Sequence, residues 1–127
     1  MAVWLGVTKP PLPISGTKEK PMSTAHLLVM YPAPKDPKAF DRAYQEQHLP
    51  YAGPRLKGAL GVASKRVAQT HGTGPGYYAI SDVSFPTLSA LKECADSTGG
   101  KEALAHAASI STGGPPTVLV VTDDLAG

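Results

Sequence analysis

The stretch Ala25-His26-Leu27-Leu28-Val29-Met30-Tyr31 decides the fold of this chain, because it is apolar at nearly every position and a proline follows it. A short apolar run that ends at turn-forming residues is typical of a β-strand buried on both faces. Residues 117–122, Thr-Val-Leu-Val-Val-Thr, predict a last strand of the same kind. The sheet containing these strands therefore needs a cover on each of its two sides.

The elements between these two strands alternate in a recognisable order. Asp36-Pro37 predicts a helix N-cap followed by proline at the first helical position, and Pro50 predicts the end of that helix. The remaining segments predict strands at 59–69 and 77–84, a helix at 86–95 that a Gly-Gly pair ends, and a helical piece at 101–109. The order β-α-β-β-α-β predicts an α+β, ferredoxin-like fold with an antiparallel sheet and helices on one face. Two such sheets would pack face to face in a homodimer, forming a dimeric α+β barrel whose interior could hold a small ligand.

The first 22 residues differ in composition from the rest. They contain four prolines and three lysines, and predict an N-terminal arm (1–22) before the barrel domain (23–127). Two interpretations stay open: a tail that precedes a natural start at Met22, or an arm that packs on a partner subunit.

Composition excludes several classes of function. The chain has 127 residues, 17% of them charged, and a net charge of +2, which predicts binding of neither nucleic acid nor an anionic membrane. Its apolar runs are shorter than the ~18 residues of a membrane span, and no secretory signal is recognisable at the start. The single cysteine fits a reducing compartment, so we expect a cytoplasmic protein.

His48 is the first candidate catalytic residue. It shares one helix face with Phe40 and Tyr44, and it lies near the expected helix end, where the helix dipole favours an imidazolium. Such a histidine could transfer a proton near neutral pH. The alternative is that His48 only caps the last helical carbonyl groups.

His26 is the second candidate, since a histidine on the first strand could enter the barrel interior. A histidine at the barrel rim or the dimer seam is the alternative. Tyr44 is the third catalytic candidate, and it would orient the substrate together with His26. The predicted substrate-binding residues are Phe40, Tyr77, Tyr78, Asp82 and Met30, although tyrosines are often core residues and Asp82 could be solvated.

No metal or cofactor is predicted. The four histidines are at least twenty residues apart and the chain has only one cysteine, so no metal-ligand spacing occurs. A haem needs only one histidine, so that alternative stays open. Ser97-Thr98-Gly99-Gly100 and Ser111-Thr112-Gly113-Gly114 are interpreted as helix C-caps.

Residues 25–124 resemble the EthD family of dimeric α+β barrels. The resemblance rests on the strand 25–32, on Phe40, Tyr44 and His48-Leu49-Pro50, and on Ser111-Thr112-Gly113-Gly114 before the last strand. It implies the dimeric barrel, a class that includes small monooxygenases, cyclases, decarboxylases and isomerases. It implies little about the reaction, because one fold supports unrelated chemistries.

Three functions therefore stay open. The first is a cofactor-independent oxidoreductase or lyase that acts on a small, fairly apolar molecule in the degradation of organic compounds. The second is a non-catalytic protein that binds such a molecule, for instance for a monooxygenase system. The third is a structural dimer without a cavity.

Overall fold

The computed structural model describes residues 24–125, and these form a four-stranded antiparallel sheet with helices on one face. The strands are β1 (Ala25–Pro32), β2 (Gly61–Arg66), β3 (Tyr77–Phe85) and β4 (Thr117–Thr122), in the spatial order β2-β3-β1-β4. The predicted ferredoxin-like α+β fold is confirmed. The predicted arm at 1–22 lies outside the described residues, so the division of the chain at residue 22 stays a prediction.

The first helical region is longer than predicted. It consists of α1 (Pro37–Ala43), a π-helical turn (Tyr44–His48), α2 (Leu49–Ala52) and a 3₁₀ turn (Gly53–Arg55). The expectation that Pro50 ends the helix is wrong. Pro50 lies in the first turn of α2, directly after the π turn, where a missing backbone N–H costs little.

The second helical region is α3 (Leu88–Asp96) and α4 (Thr98–Ile110). The interpretation of 97–100 as a C-cap is confirmed for Ser97, whose backbone N–H donates to the Cys94 carbonyl oxygen at the end of α3. The Ser97 hydroxyl also accepts a hydrogen bond from the Gly100 N–H at 3.0 Å and caps the start of α4. The expectation that the Gly-Gly pair ends the first of these helices is wrong, because both glycines lie inside α4. Gly100 lies against α3, where a Cβ would come within 1.9 Å of the Cys94 carbonyl oxygen. Glycine at this position therefore allows α3 and α4 to meet closely.

The sheet has two distinct faces. On β1, Ala25, Leu27, Val29 and Tyr31 are buried beneath the helices, on what we call the helix face. The alternate residues lie on the opposite side, the open face, which no helix of the described region covers. Apolar side chains dominate the centre of the open face: Leu28, Met30, Ile80, Leu119 and Val121.

Candidate functional site

A cavity of about 260 Å³ lies between the helix face of the sheet and the helices α2 and α4. Its lining is mostly aliphatic: Leu27, Val29, Leu49, Ala52, Leu56, Val62, Val83, Ala103, Leu104 and Ala107. Only His48, Ser64 and Ser81 contribute polar side chains to this wall. An apolar cavity with a few polar groups is the usual composition of a small-molecule site.

Tyr44 connects the polar side chains of the cavity. Its hydroxyl oxygen is 2.6 Å from the Oγ atoms of both Ser64 and Ser81. Its ring lies 5.6 Å from the His48 ring, centroid to centroid. The three polar side chains of the cavity therefore all neighbour one residue, which places them on one side of the space.

His48 is buried, with 6% of its surface exposed, and it projects from the π turn. Its Nδ1 atom is 2.9 Å from Nδ1 of His106, and the two ring planes differ by only 4°. Burial, followed by the charge of His106, lowers the pKa of His48 to about 4. The expected imidazolium at a helix end is therefore wrong: the helical region continues beyond His48, and the ring is neutral near pH 7.

His106 is one of the residues of this site that the sequence does not point to, together with Ser64 and Ser81. It lies on α4, half-exposed, and Tyr51 stacks on it with 4.6 Å between ring centroids. The Arg55 guanidinium lies 3.7 Å above the Tyr51 ring and also bonds Glu102 at 3.1 Å. No local pattern marks His106, because its contact with His48 spans 58 residues of sequence.

A second, more open groove of about 320 Å³ adjoins the cavity, and Leu49 and Ser64 line both. Phe40 and Tyr44 form its apolar wall. Tyr78 packs edge-on against Phe40 at 5.7 Å, and its hydroxyl donates to Asp41 at 3.0 Å. The predicted residues Phe40, Tyr44, His48 and Tyr78 therefore lie together on the helix face.

The other predicted site residues lie on the open face. His26 Nδ1 is 2.7 Å from Asp82 Oδ1, and its Nε2 is 2.8 Å from Asp123 Oδ2. The pKa of His26 is raised mainly by its hydrogen bond to Asp123 and, second, by its hydrogen bond to Asp82. Met30 lies on the same face.

Tyr77 also lies on the open face, where its hydroxyl is 3.0 Å from Thr117 Oγ1. An irregularity in the pairing of β1 with β3 changes the alternation of side chains at this end of β3. In the protomer the sheet separates these side chains from His48, so the structure divides the predicted site into two groups.

Within residues 24–125, no group of three or more histidine, cysteine, aspartate or glutamate side chains could hold a metal ion. Within the same range, every helix is too short or too polar to cross a membrane.

Comparison with known proteins supports the fold. No family model matches the chain. A Rhodococcus erythropolis protein, the uncharacterized 11.0 kDa protein in the thcB-thcC intergenic region, is 26% identical over 98 residues, which cover 77% of this chain and 92% of that protein.

Two solved structures have the same architecture. An ethyl tert-butyl ether degradation (EthD) family protein from Bacillus halodurans superposes with a TM-score of 0.65 at 19% identity, covering 79% of this chain and 97% of that one. A dimeric ferredoxin-like protein of unknown function from Thermobifida fusca gives a TM-score of 0.56 at 8% identity, covering 84% and 96%. The resemblance to EthD proteins that the sequence predicts is confirmed at the level of the fold.

Proposed function

We propose that this protein, with the fold of EthD-family dimeric barrels, is a homodimer in which each protomer binds one small, mostly apolar molecule beside His48. The observation that carries the proposal is the lining of the 260 Å³ cavity, which is aliphatic except for one histidine and two serines. At about 30 Å³ per water-sized group, such a cavity holds on the order of ten non-hydrogen atoms. The polar side chains would bind one oxygen-containing group of the ligand.

The location of this cavity differs from the one that the sequence suggested. The sequence predicts a ligand between two sheets, whereas the cavity lies within one protomer, between the sheet and the helices. We therefore propose that His48 contacts the ligand and that Tyr44 orients Ser64 and Ser81 toward it. Phe40 would line the groove through which the ligand enters, with Tyr78 packed against the Phe40 ring.

The open face supports the homodimer. Leu119 is 41% exposed in the protomer, and the apolar side chains around it form a continuous surface across β1, β3 and β4. Apolar patches of this kind mark association surfaces, and the similar protein from Thermobifida fusca is dimeric. We propose that His26 and Asp82 belong to this sheet-to-sheet contact, together with Met30 and Tyr77.

Two functions use the same cavity. In an enzyme, His48 would exchange a proton with the ligand through Nε2, because Nδ1 is engaged by His106. In a binding protein, His48 would only form a hydrogen bond. The pKa of about 4 favours binding over general-base catalysis by His48 alone, since an isolated imidazole of this pKa is a weak base.

The binding test uses one cavity-filling variant and a matched control on the same helix. Ala107 is 1% exposed and lines the cavity, whereas Ala108 is exposed. We expect 2-nonanone and 2-nonanol, detected by ligand-observed NMR, to bind the wild type and Ala108→Leu. Binding to Ala107→Leu should be at least about tenfold weaker, a change of ~1.4 kcal/mol. Equal binding to the two variants would refute the cavity as the site.

A second variant separates the two functions. His48→Gln keeps a hydrogen-bonding side chain but cannot exchange protons. If the protein is an enzyme, turnover of a compound that native mass spectrometry identifies in the purified protein should be lost in this variant, while the affinity for that compound changes little. Turnover that survives in His48→Gln would exclude His48 as the proton carrier.

A further inference from the structure

The contact between His48 and His106 crosses the wall of the cavity. His48 lines the cavity and is 6% exposed, whereas His106, on α4, is partly exposed and is not one of the residues that line the cavity. Their Nδ1 atoms are 2.9 Å apart, so one nitrogen must donate a hydrogen and the other must accept it. The protonation state of one ring therefore constrains which nitrogen of the other ring carries hydrogen.

We propose that His48 and His106 form a proton relay that moves one proton between solvent and the ligand cavity while His48 itself stays uncharged. The inference rests on the proposed function for its substrate, a small molecule with an ionisable or polarisable oxygen. His48 would be the residue that touches this molecule. His106 would be a positioning residue that acts through His48.

Each pass of the relay transfers one proton, and the position of every hydrogen on the two rings is accounted for. In the donating direction, protonated His106 donates its Nδ1 hydrogen to Nδ1 of His48, and the Nε2 hydrogen of His48 passes to the ligand. His106 ends neutral with its hydrogen on Nε2, and His48 ends neutral with its hydrogen on Nδ1. The reverse sequence removes a proton from the ligand. In both directions His48 changes tautomer but does not need the charge that its burial disfavours.

The surroundings of His106 suit the outer position in this relay. Tyr51 from α2 stacks on its ring, which holds the ring plane in place. Arg55, which covers Tyr51, is paired at 3.1 Å with Glu102, one turn before His106 on α4.

The relay can be tested without a ligand, by NMR of protein labelled with ¹⁵N in its four histidines. The pH is lowered from about 8 to about 5, and His48 should convert to the Nε2–H tautomer wherever His106 gains a proton, while His48 itself stays neutral. In His106→Phe, which keeps an aromatic ring against Tyr51, the tautomer of His48 should no longer change over this range. His71→Gln, in the exposed loop between β2 and β3, is the control and should behave as wild type.

Two results would overturn the relay: a doubly protonated His48 in this range, or the same tautomer change in His106→Phe as in wild type. His106→Gln provides a second variant with a polar side chain that cannot pass protons; it should also abolish the change. If the ketone and alcohol probes bind but the coupling is absent, only the relay fails. If the coupling is present but the probes do not bind, the proposed ligand site fails and the relay stands.

Discussion

The burial of His48 predicts a specific acid sensitivity of the fold. Its pKa is lowered from 6.5 to about 4, so the unfolded chain binds a proton at this ring more readily than the folded one. The contribution of neutral His48 to the free energy of unfolding is therefore fully present above about pH 6.5, and it is lost as the pH falls toward about 4. The loss at this residue is about 1.4 kcal/mol at about pH 5.5 and about 2.5 kcal/mol at about pH 4.5.

The assay is urea unfolding at several pH values, with wild type and His48→Gln at the same protomer concentration. Equal concentrations matter because the proposed dimerisation would contribute to the measured stability. All other titrating groups are shared, so the difference between the two proteins reports His48 together with its coupling to His106. We expect the wild type to lose about 1.4 kcal/mol more than His48→Gln between about pH 7.5 and 5.5. His71→Gln should follow the wild type, and parallel pH curves for wild type and His48→Gln would refute the reasoning.

Three other outcomes follow from the same structure. Tyr44→Phe removes the hydroxyl that joins two serine Oγ atoms at 2.6 Å, so urea unfolding should show a loss of about 1–3 kcal/mol, and an unchanged midpoint would contradict this. Leu119→Asp should convert the proposed dimer to monomers, measured by light scattering. Leu60→Asp, at a position outside the strands that is 64% exposed, should stay dimeric. If Leu119→Asp is still a dimer, the open face is not the dimer interface. The hydrogen bond to Asp123 is the main cause of the raised pKa of His26. The wild type should therefore be more stable than His26→Gln below about pH 6.5, and this difference in unfolding free energy should disappear as the pH rises further. A difference that increases with pH would contradict the prediction.

The sequence predicts the fold well because its signals are local. The apolar runs at 25–31 and 117–122 correspond to the first and last strands of the fold. Asp36 also caps α1 as predicted, since its side chain accepts a hydrogen bond from the Ala39 N–H at 3.2 Å. The continuation through Pro50 was not predictable in this way. A proline reports only its own missing hydrogen bond, and nothing in residues 44–48 indicates the π turn that makes it harmless.

The site was only partly predictable, because helix and strand periods show which residues share a face but not which elements meet. The shared face of Phe40, Tyr44 and His48 is confirmed by their burial. Their partners on α4 and β2 are distant in sequence, so His106 and Ser64 left no signal. The alternation of side chains along β1 places His26 and Leu27 on opposite faces of the sheet, but it does not show which of the two faces lies beneath the helices.

Native mass spectrometry of the freshly purified protein tests the central claim most directly, since it reports the subunit number and bound small molecules together. We predict a dimer with up to two copies of one small added mass, present in Ala108→Leu and absent from Ala107→Leu. A monomer without added mass, or an added mass that persists in Ala107→Leu, would contradict a ligand cavity beside His48 in each protomer of a dimer.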